Sequence, residues 1–311
     1  MARYLVTGGA GFVGSHIVER LVARGEDVAV LDNLSTGNIG NLAPVRDRIE
    51  FREADLRDLD AVRSACRGAD YVLHQGALPS VARSVEDPIS SNGVNASGTL
   101  NVLVAAREAG VRRVVYASSS SAYGDTPTLP KREDMPANPL SPYAVSKYTG
   151  ELYCQVFARL YGIETVALRY FNVFGPRQDP TSQYAAVIPK FIIAMQRGEP
   201  PLVFGDGEQS RDFTYVANVV EANLLACQAP GAVGRVINIA CGERVTLNEL
   251  IGLMHRILGV HTPPTYGPPR AGDVKHSLAD IGCARELLGY RVLVPLEEGL
   301  RRTAEWFSAD A

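Results

Sequence analysis

Lysine is scarce in this 311-residue chain. Of its 31 basic side chains only Lys131, Lys147, Lys190 and Lys275 are lysines, and the others are arginines. A reaction that needs a lysine therefore has few places in the chain to find one. Basic and acidic residues nearly balance, with a formal net charge of −3. This balance argues against a broadly basic surface, so we expect no nucleic-acid partner.

Long hydrophobic runs are also missing. No stretch approaches ~20 consecutive apolar residues, the length that spans a bilayer, so we expect no membrane partner. The first residues, Met1-Ala2-Arg3, lead directly into Tyr4-Leu5-Val6. This start lacks the basic region and the hydrophobic segment of a secretory signal. We therefore expect a cytoplasmic protein.

Cysteine is too sparse and too scattered to build a metal site or a disulfide framework. There are five cysteines, an odd number, and no C-x-x-C or mixed Cys/His spacing brings two of them together. Structural zinc needs such clustered ligands, so we predict no metal. We expect buried, reduced thiols at Cys66, Cys154, Cys227, Cys241 and Cys283.

Apolar runs alternate with amphipathic stretches through the first half of the chain, which is typical of a parallel sheet covered by helices on both faces. We predict an α/β fold, with a Rossmann-like doubly wound parallel sheet and a smaller C-terminal α/β domain. The predicted strands are Tyr4–Thr7, Val28–Asp32, Ile49–Glu53, Tyr71–Gly76, Val114–Ala117 and Thr165–Tyr170. The predicted helices are Phe12–Arg24, Asn95–Glu108 and Tyr143–Leu160. In the proline-rich second half, a capping box at Thr246–Glu249 predicts a helix that runs toward Leu258.

Three glycines follow the first predicted strand. Gly8, Gly11 and Gly14 form G-x-x-G-x-x-G, and a predicted helix comes next. Such glycines let the backbone approach a pyrophosphate, which the helix N-terminus then attracts. A plain turn is the alternative reading, but the position between strand and helix favours dinucleotide binding.

Asp32 ends the second predicted strand. A carboxylate there can accept hydrogen bonds from the adenosine ribose and would repel a 2′-phosphate, so it favours NAD over NADP. Asp32-Asn33 would also suit a simple turn. Asp55-Leu56, after the third strand, is a weaker signal for the adenine.

Tyr143 and Lys147 lie four residues apart in a predicted helix and therefore share one helical face. An ammonium near a phenol stabilises the phenolate, which makes the tyrosine a usable base near neutral pH.

Four serines, Ser118–Ser121, follow the strand Val114–Ala117, at the sheet edge where ligands bind. Their hydroxyls could contact a sugar or the tyrosine, and a serine-rich turn is the alternative.

Together these residues resemble the extended short-chain dehydrogenases/reductases of the nucleotide-sugar 4-epimerase group, close to UDP-glucose and UDP-N-acetylglucosamine 4-epimerases. The likeness covers essentially the whole chain. It rests on Thr7–Gly14, Asp32-Asn33-Leu34, His74-Gln75-Gly76-Ala77, Ser118–Gly124, Tyr143–Lys147, Leu168–Asn172, Gly205–Asp212 and Arg270–Ser277. It implies an NAD-binding domain over residues 1–170, to which residues 213–241 return, and a mostly UDP-sugar-binding domain over residues 171–311.

The resemblance also implies a role for individual residues. Tyr143 and Lys147 would be catalytic together with Ser119, or with Ser120 if the serine run aligns one position later. The cofactor residues would be Gly8, Gly11, Phe12, Val13, Gly14, Asp32, Asn33, Ser35, Thr36, Gly37, Asp55, Leu56, Gln75, Ala77, Asn95, Tyr143, Lys147 and Tyr170. The substrate residues would be Ser80, Val81, Ser119, Ser120, Asn172, Val187, Val203, Phe204, Arg211, Arg270, Asp273 and Ser277.

Two features of the chain distinguish it within that family. Relatives often carry alanine at the position of Gly76, and we expect the change to affect only close packing on the cofactor. Ser277 occupies a position where a bulky tyrosine in relatives restricts the sugar pocket to unacetylated hexoses. Because serine is small, we expect UDP-GlcNAc and UDP-GalNAc to be accepted as well as UDP-glucose and UDP-galactose. An ordinary exposed serine is the alternative.

Sister reactions remain as alternatives: UDP-uronate 4-epimerisation, decarboxylation and 4,6-dehydration. In dehydratases and decarboxylases the segment after this strand carries an acidic residue, whereas Ser119–Tyr123 has none. A non-catalytic NAD-binding regulator would tolerate loss of Tyr143 and Lys147, yet both are present. By the same resemblance, the helices Asn95–Glu108 and Tyr143–Leu160 would pair with a second copy as a four-helix bundle, so we expect a homodimer.

Overall fold

A seven-stranded parallel sheet forms the centre of the computed structural model, which describes residues 1–180, 187–269 and 275–309. The strands, in chain order, are β1 (Arg3–Thr7), β2 (Asp27–Asp32), β3 (Glu50–Glu53), β4 (Tyr71–His74), β5 (Arg113–Ser119), β6 (Glu164–Tyr170), β7 (Val173–Phe174), β8 (Leu202–Phe204), β9 (Ser210–Arg211), β10 (Thr214–Tyr215), β11 (Arg235–Ile239), β12 (Val245–Thr246) and β13 (Thr265–Gly267).

The helices lie between these strands. They are α1 (Phe12–Ala23), α2 (Leu59–Cys66), α3 (Val81–Glu86), α4 (Pro88–Asn92), α5 (Gly98–Glu108), α6 (Pro142–Leu160), α7 (Val187–Gln196), α8 (Val216–Gln228), α9 (Leu247–Leu258), α10 (Gly282–Leu288) and α11 (Leu296–Ala309). Segments of 3-10 helix lie at Ile39–Arg48, Ser120–Tyr123 and Pro230–Ala232. A π-helical segment at Gly93–Ser97 leads into α5.

The order of strands in the sheet is β11-β6-β5-β4-β1-β2-β3. The chain first moves outward from β1 to β3 and then crosses back to β4 on the other side of β1. In open α/β sheets, ligands bind at the strand C-termini where the order reverses. Thr7 at the end of β1 lies opposite Leu31 of β2 and His74 of β4, so the residues that follow these three strands meet at that point.

The sheet separates two apolar layers, as expected from the alternation of side chains along a strand. In β1, Tyr4 and Val6 pack with α1 and α8 on one face, whereas Leu5 packs with α2 and α5 on the other. The first layer continues without a break into the C-terminal helices α7, α9 and α11. The predicted parallel, doubly wound fold is confirmed.

All six predicted strands are present, with ends shifted by one or two residues. The strand predicted as Tyr71–Gly76 ends at His74, because the next backbone groups turn to meet β1. The helix predicted from Asn95 begins instead as the π-helical segment, and its α-helical part starts at Gly98. In the second half, β11 pairs in parallel with β6 and so joins the main sheet. The domain division at residue 170 stays a prediction.

The predicted capping box is present at the start of α9. Thr246 Oγ1 accepts the backbone N–H of Glu249 at 3.1 Å, and Glu249 Oε2 accepts that of Thr246 at 2.8 Å. The five cysteines are free thiols, but only three are buried, since Cys241 and Cys283 are partly exposed. Among the described residues, no helix has the length and apolar character needed to cross a membrane.

Candidate active site

The glycine loop after β1 forms a cradle that larger residues would fill. Gly8 has φ +66°, and a Cβ there would lie 2.6 Å from the backbone of Gly76. A Cβ on Gly14 would lie 2.1 Å from the carbonyl oxygen of Gly8. A Cβ on Gly76 would come within 2.8 Å of Leu56 Cδ1, a side-chain tip that can move. The first two positions therefore require glycine, whereas alanine at Gly76 needs only a shift of Leu56.

The N-terminus of α1 opens into this cradle. Gly11 is its N-cap and supplies no capping side chain, and the first turn, which contains Phe12 and Val13, has no acidic residue. The backbone N–H groups and the positive end of the helix dipole are thus available to an anion. The cradle and the helix end fit the pyrophosphate of a dinucleotide.

Asp32 lies at the end of β2 beside the cradle. Its two carboxylate oxygens accept the backbone N–H groups of Ala10 at 3.0 Å and Leu34 at 2.8 Å. Burial raises the pKa of this carboxyl, and these two hydrogen bonds oppose the rise. Gly37 lies directly against the carboxylate, since a Cβ there would be 3.0 Å from it. The remaining lone pairs can accept ribose hydroxyls, and a phosphate would be repelled.

Asn33 and Asp55, both predicted adenosine contacts, lie side by side. Asn33 Nδ2 donates to Asp55 Oδ2 at 2.9 Å, and Arg57 also donates to this carboxylate. These bonds hold the pKa of Asp55 well below its ordinary value. The ends of β2 and β3 are therefore tied together at the predicted adenosine side, near exposed Ser35 and Thr36 and buried Leu56.

His74 at the end of β4 is buried within a chain of hydrogen bonds. Thr99 Oγ1 donates to the carbonyl oxygen of Asn95 at 2.5 Å and so accepts from His74 Nε2 at 3.0 Å. His74 Nδ1 then accepts from Thr7 Oγ1 at 2.6 Å. This network requires the neutral tautomer with its proton on Nε2. Burial lowers the pKa of His74 to about 3, consistent with a neutral ring.

Asn95 connects the loop after β4 with the helix that carries Tyr143. Its amide accepts the N–H of Leu78 at 2.8 Å and donates to Ser146 Oγ at 3.1 Å. Ser146 in turn donates to the carbonyl oxygen of Tyr143 at 2.8 Å. Asn95 is 1% exposed and stands in the π-helical segment, a feature common at functional sites. Its predicted contact with cofactor stays a prediction, since its amide is engaged by protein groups, and Ala77 lies partly exposed in the same loop.

Tyr143 and Ser119 are brought together from α6 and β5. Burial raises the pKa of the Tyr143 phenol, and its hydrogen bond with Ser119 lowers it. Ser141 caps the helix by accepting the N–H of Ala144 at 3.1 Å, and Ser84 of α3 accepts that of Tyr143 at 3.0 Å. The backbone that carries the phenol is thus held at the start of α6 by two hydrogen bonds.

Lys147 lies one turn further along α6 and is 4% exposed. Its ammonium donates to the carbonyl oxygen of Ala117 at 2.8 Å and lies 5.0 Å from the centre of the Tyr116 ring. Burial lowers the pKa of Lys147 to about 8, and the Glu151 carboxylate opposes the decrease. The hydrogen bond that lowers the pKa of the phenol comes from Ser119, so the effect of Lys147 on the phenol stays a prediction.

The structure gives the four serines different environments. Ser118 is buried and donates to Glu151 Oε1 at 2.5 Å, which turns it away from the site. Ser119 faces Tyr143 and also accepts the N–H of Ser121 at 3.2 Å, as the N-cap of a short 3-10 helix. Ser120 is partly exposed, and the hydroxyl of Ser121 is buried without a partner. Contact with the tyrosine therefore favours Ser119 over Ser120.

Gln75 and Tyr170, two of the predicted cofactor residues, are joined by a residue that the sequence did not indicate. The Tyr170 hydroxyl donates to Gln75 Oε1 at 3.1 Å and accepts from Asn223 Nδ2 at 2.7 Å. Gln75 Nε2 also donates to Asn223 Oδ1 at 3.1 Å. Asn223 is fully buried in α8, where an isolated asparagine carries no sequence signal of a site.

Asn172, Arg211 and Ser277 converge on the segment that contains β9. Asn172 Nδ2 donates to the carbonyl oxygen of Asp212 at 2.9 Å. The backbone N–H of Ser277 donates to the carbonyl oxygen of Ser210 at 3.0 Å. Arg211 Nη1 donates to the carbonyl oxygens of Ser210 and Lys275, both at 3.0 Å. The guanidinium is therefore fixed in place at the predicted substrate side.

Asp212 holds this region to the main sheet, and sequence reasoning assigned it no role. Its carboxylate is fully buried and accepts backbone N–H groups of Cys241 at 2.9 Å, Gly242 at 3.0 Å and Ala279 at 3.3 Å. Burial raises its pKa to about 6, and these bonds oppose the rise. Asp212 thus joins the loop after β11 to the segment that contains Ser277.

The other predicted substrate residues are dispersed. Ser80 caps α3 by accepting the N–H of Arg83 at 3.1 Å, and Val81 is half exposed. Val187 begins α7, and Phe204 ends β8 partly buried. The Val203 side chain is fully buried in the core, so it offers no surface to a ligand. The predictions for Arg270 and Asp273 lie outside the described residues.

Comparison with known proteins places the chain in a family. Residues 4–240 match the model of the NAD dependent epimerase/dehydratase family. The UDP-glucose 4-epimerase of Mycolicibacterium smegmatis is 41% identical over 309 residues, covering 98% of each chain. Two relatives that are 33% identical show the breadth of the family. They are the UDP-glucuronate 4-epimerase of Thermodesulfobacterium geofontis, which covers 98% of this chain and 96% of its own, and the UDP-N-acetyl-alpha-D-glucosaminuronate decarboxylase of Bacillus cytotoxicus, which covers 98% and 97%.

Solved structures agree closely over the whole length. The UDP-N-acetylglucosamine 4-epimerase of Methanobrevibacter ruminantium, in complex with UDP-N-acetylmuramic acid, is 42% identical with a TM-score of 0.96, covering 100% of this chain and 99% of its own. The UDP-glucose 4-epimerase of Thermotoga maritima with UDP-glucose is 41% identical with a TM-score of 0.94, covering 99% of each chain. The chain therefore belongs to the NAD-dependent epimerase/dehydratase family, and within it to the UDP-sugar 4-epimerase group, whose members are isomerases that use NAD.

Proposed function

We propose that the protein interconverts UDP-glucose with UDP-galactose, and UDP-GlcNAc with UDP-GalNAc, through a transient 4-keto sugar. The observation that carries this proposal is the meeting of Tyr143 and Ser119 at the C-terminal end of β5. Lys147 lies one turn away on the same helix, and the dinucleotide cradle lies two strands away in the same sheet.

Tyr143 is the base in this reaction. Its phenol oxygen takes the proton of the sugar 4-hydroxyl, and Ser119 donates a hydrogen bond to the 4-oxygen. The glycine cradle and Asp32 would hold NAD, which would supply the acceptor and donor of the C4 hydride. Lys147 supplies a positive charge near the phenol, which favours the phenolate. Tyr143 returns its proton to the 4-oxygen when the hydride comes back, so the reaction is redox-neutral.

Inversion at C4 requires the sugar to present its other face while its diphosphate stays bound. Arg211 is suited to hold the diphosphate, because a guanidinium remains charged and donates two hydrogen bonds at once. Its anchoring to the backbone of Ser210 and Lys275 keeps it in place during the turn. We therefore assign cofactor binding mainly to residues 1–170 and UDP-sugar binding mainly to residues 171–311.

The acid chemistry of the site argues against dehydration and decarboxylation. Dehydratases and decarboxylases of this family carry an acidic residue in the segment after this strand, and the segment Ser119–Tyr123 supplies none. The carboxylate nearest in sequence to Lys147 is that of Glu151, which is engaged with Ser118 and Arg169 and is 1% exposed. Reversible oxidation and reduction at C4 is the reaction that needs no further acid.

Acceptance of acetylated sugars rests on Ser277. Its backbone is hydrogen-bonded to Ser210, next to Arg211, so the residue stands beside the proposed diphosphate contact. A serine there leaves the volume that a larger side chain would fill. We assign this volume to the N-acetyl group of UDP-GlcNAc and UDP-GalNAc.

We also propose that the protein is a homodimer through a four-helix bundle of α5 and α6 with their copies. In support, Val145, Leu152 and Val156 project from one face of α6 with exposures of 48%, 44% and 41%. Apolar side chains spaced in this way are typical of a helix that packs against a partner. Sedimentation should show a dimer that Val156→Glu converts to monomer, and a monomeric wild type would contradict the proposal.

The direct test is a panel of UDP-sugars incubated with the purified protein and analysed for product. We expect C4 epimers from UDP-glucose, UDP-galactose, UDP-GlcNAc and UDP-GalNAc. A 6-deoxy-4-keto product would indicate a dehydratase, and a pentose from a UDP-uronate would indicate a decarboxylase. NAD retained without turnover of any sugar would support a non-catalytic regulator.

A further inference from the structure

A buried ion pair continues the face of α6 that carries Tyr143 and Lys147. Glu151, one turn after Lys147, is 1% exposed and pairs with Arg169 of β6 through two hydrogen bonds of 2.8 and 2.7 Å. Its carboxylate also accepts Ser118 Oγ at 2.5 Å. The catalytic scheme above does not use this pair, and burying two charges carries a large desolvation cost.

The contacts of α6 with the end of β5 involve three consecutive strand residues. Lys147 bonds the carbonyl oxygen of Ala117, and Glu151 bonds the side chain of the next residue, Ser118. The residue after that, Ser119, contacts Tyr143. Three consecutive strand residues are thus held by three positions of α6 that share one face. Glu151 is the member of this set that never needs to touch a substrate.

Glu151 also supplies charge. Lys147 interacts electrostatically with three titratable groups, namely Glu151 and Cys154 on α6 and His74 on β4. The Tyr116 ring of β5 lies beneath its ammonium. His74 is neutral, and burial raises the pKa of both Cys154 and Tyr116. Of these four groups, Glu151 is the one held in an ion pair, with Arg169. Arg169, on β6, faces the far side of its carboxylate and also lies 4.5 Å from the centre of the Tyr123 ring.

We propose that Glu151 is a positioning residue for the reaction: it holds Ser118 so that Ser119 reaches Tyr143, and it lies one turn from Lys147 on the same face of α6. The inference rests on the proposed function for its catalytic consequence. The effect on Lys147 itself can be measured without any turnover.

The scarcity of lysine makes that measurement simple. Protein labelled with 13C at the lysine ε-carbon should give four signals, and the one lost in Lys147→Arg identifies Lys147. In the wild type we expect this signal to titrate near pH 8. In Glu151→Gln the pKa of Lys147 should fall by about one unit, because a nearby negative charge has been removed. The alkaline limb of kcat/KM should move by the same amount, and kcat should fall about 10- to 100-fold.

Two further variants separate positioning from general structural support. Glu164→Gln is the matched control, because Glu164 pairs with the buried Arg113 across the same two strands, at their N-terminal ends. It should leave the titration of Lys147 unchanged. If Glu151→Gln does not fold, Glu151→Met with Arg169→Met removes both charges and leaves no buried ion unpaired. This double variant should lower the pKa of Lys147 by less than Glu151→Gln does, because the positive charge of Arg169 is removed as well.

The proposal is overturned if Lys147 titrates as in the wild type in whichever Glu151 variant folds. It is also overturned if Glu164→Gln moves the Lys147 signal as far as Glu151→Gln does. An active Tyr143→Phe variant would instead reject the proposed function while leaving the titration result intact. The two failures are therefore distinguishable.

Discussion

Lys147 donates its ammonium to the carbonyl oxygen of Ala117 over 2.8 Å, and this bond joins the helix of Tyr143 to the strand that ends at Ser119. The lysine is 4% exposed, so water competes little for the bond. Because helix and strand are fixed to each other here, the phenol and the serine hydroxyl keep a constant relation at the sheet edge. A base and a hydrogen-bond donor held in this way are what oxidation of a sugar hydroxyl requires.

Removing the phenol oxygen should stop the reaction without unfolding the protein. Tyr143→Phe deletes the proposed base and one hydrogen bond, so we expect kcat to fall by about 10² to 10⁴. The free energy of unfolding should drop by only about 1 kcal/mol. Steady-state assays with UDP-galactose, together with the amount of NAD retained by the variant, check both points. Turnover close to wild type would remove Tyr143 from the mechanism.

The serines should respond differently to alanine substitution. Ser119→Ala removes the contact with Tyr143 and should lower kcat about 10-fold or more, with little change in stability. Ser118→Ala removes a hydrogen bond to a buried carboxylate and should lower the free energy of unfolding by about 1.5 to 3 kcal/mol. Ser120→Ala, on the adjacent partly exposed residue, is the control and should change neither quantity strongly. A loss of kcat confined to Ser120→Ala would assign the catalytic role to Ser120 instead of Ser119.

The size of residue 277 should set the choice of sugar. Ser277→Tyr fills the volume assigned to the N-acetyl group, so kcat/KM for UDP-GlcNAc should fall at least about 10-fold while that for UDP-glucose is retained. Ser277→Ala is the matched control, because it removes the hydroxyl without adding volume. Equal kcat/KM for UDP-GlcNAc in the tyrosine variant and the wild type would show that the residue is not a gate.

His74 should make the fold sensitive to acid. Its pKa is about 3 in the folded protein, against an ordinary value of 6.5. Between these values the unfolded chain binds a proton that the folded protein does not, so this contribution to stability is complete above pH 6.5 and is lost as the pH falls toward 3. From pH 6.5 to 5 the loss from this group is about 2 kcal/mol.

Protonation of Asp212 has the opposite effect on stability over part of the same pH range. Its pKa of about 6 lies above the ordinary 3.8, so protonation from pH 6 downward favours the folded state. Urea unfolding of wild type and His74→Gln at pH 7 and pH 5 separates the two, since both proteins contain Asp212. The wild type should lose more stability on acidification than the variant. Equal losses would contradict the assignment of a neutral His74.

The glycine cradle should tolerate no side chain at Gly14. In Gly14→Ala the new Cβ would lie 2.1 Å from the carbonyl oxygen of Gly8, so the loop must move and the purified protein should retain little NAD. Gly252→Ala in α9 is the matched control, because no atom lies within 4 Å of its Cβ position. It should retain NAD and gain up to ~1 kcal/mol of stability from the better helix former. Normal NAD content in Gly14→Ala would place the pyrophosphate elsewhere.

Local patterns in the sequence predicted much of this structure. The glycine loop, Asp32, the Tyr143–Lys147 pair and six strands follow from spacing and apolar runs, because each depends on residues close together in the chain. Asn223 and Asp212 were missed for the opposite reason. Asn223 lies 53 residues from its partner Tyr170, and Asp212 lies 29 residues from its partner Cys241, so only the folded chain brings these pairs together.

The serine run shows the same limit at a single site. Ser118, Ser119 and Ser120 are chemically identical neighbours, and nothing in the sequence separates them. The carboxylate of Glu151 on α6 distinguishes them, because it accepts a hydrogen bond from Ser118 and so turns that side chain away from the site. The roles of such residues depend on tertiary contacts that no local pattern records.

In the proposed reaction a hydride leaves C4 of a UDP-sugar and returns to the same carbon. The most direct measurement uses UDP-galactose carrying deuterium at C4, with mass and NMR analysis of the product. We expect UDP-glucose that retains its deuterium at C4, with no incorporation from solvent. Loss of the deuterium to water, its appearance at another carbon, or the absence of any C4 epimer would contradict it.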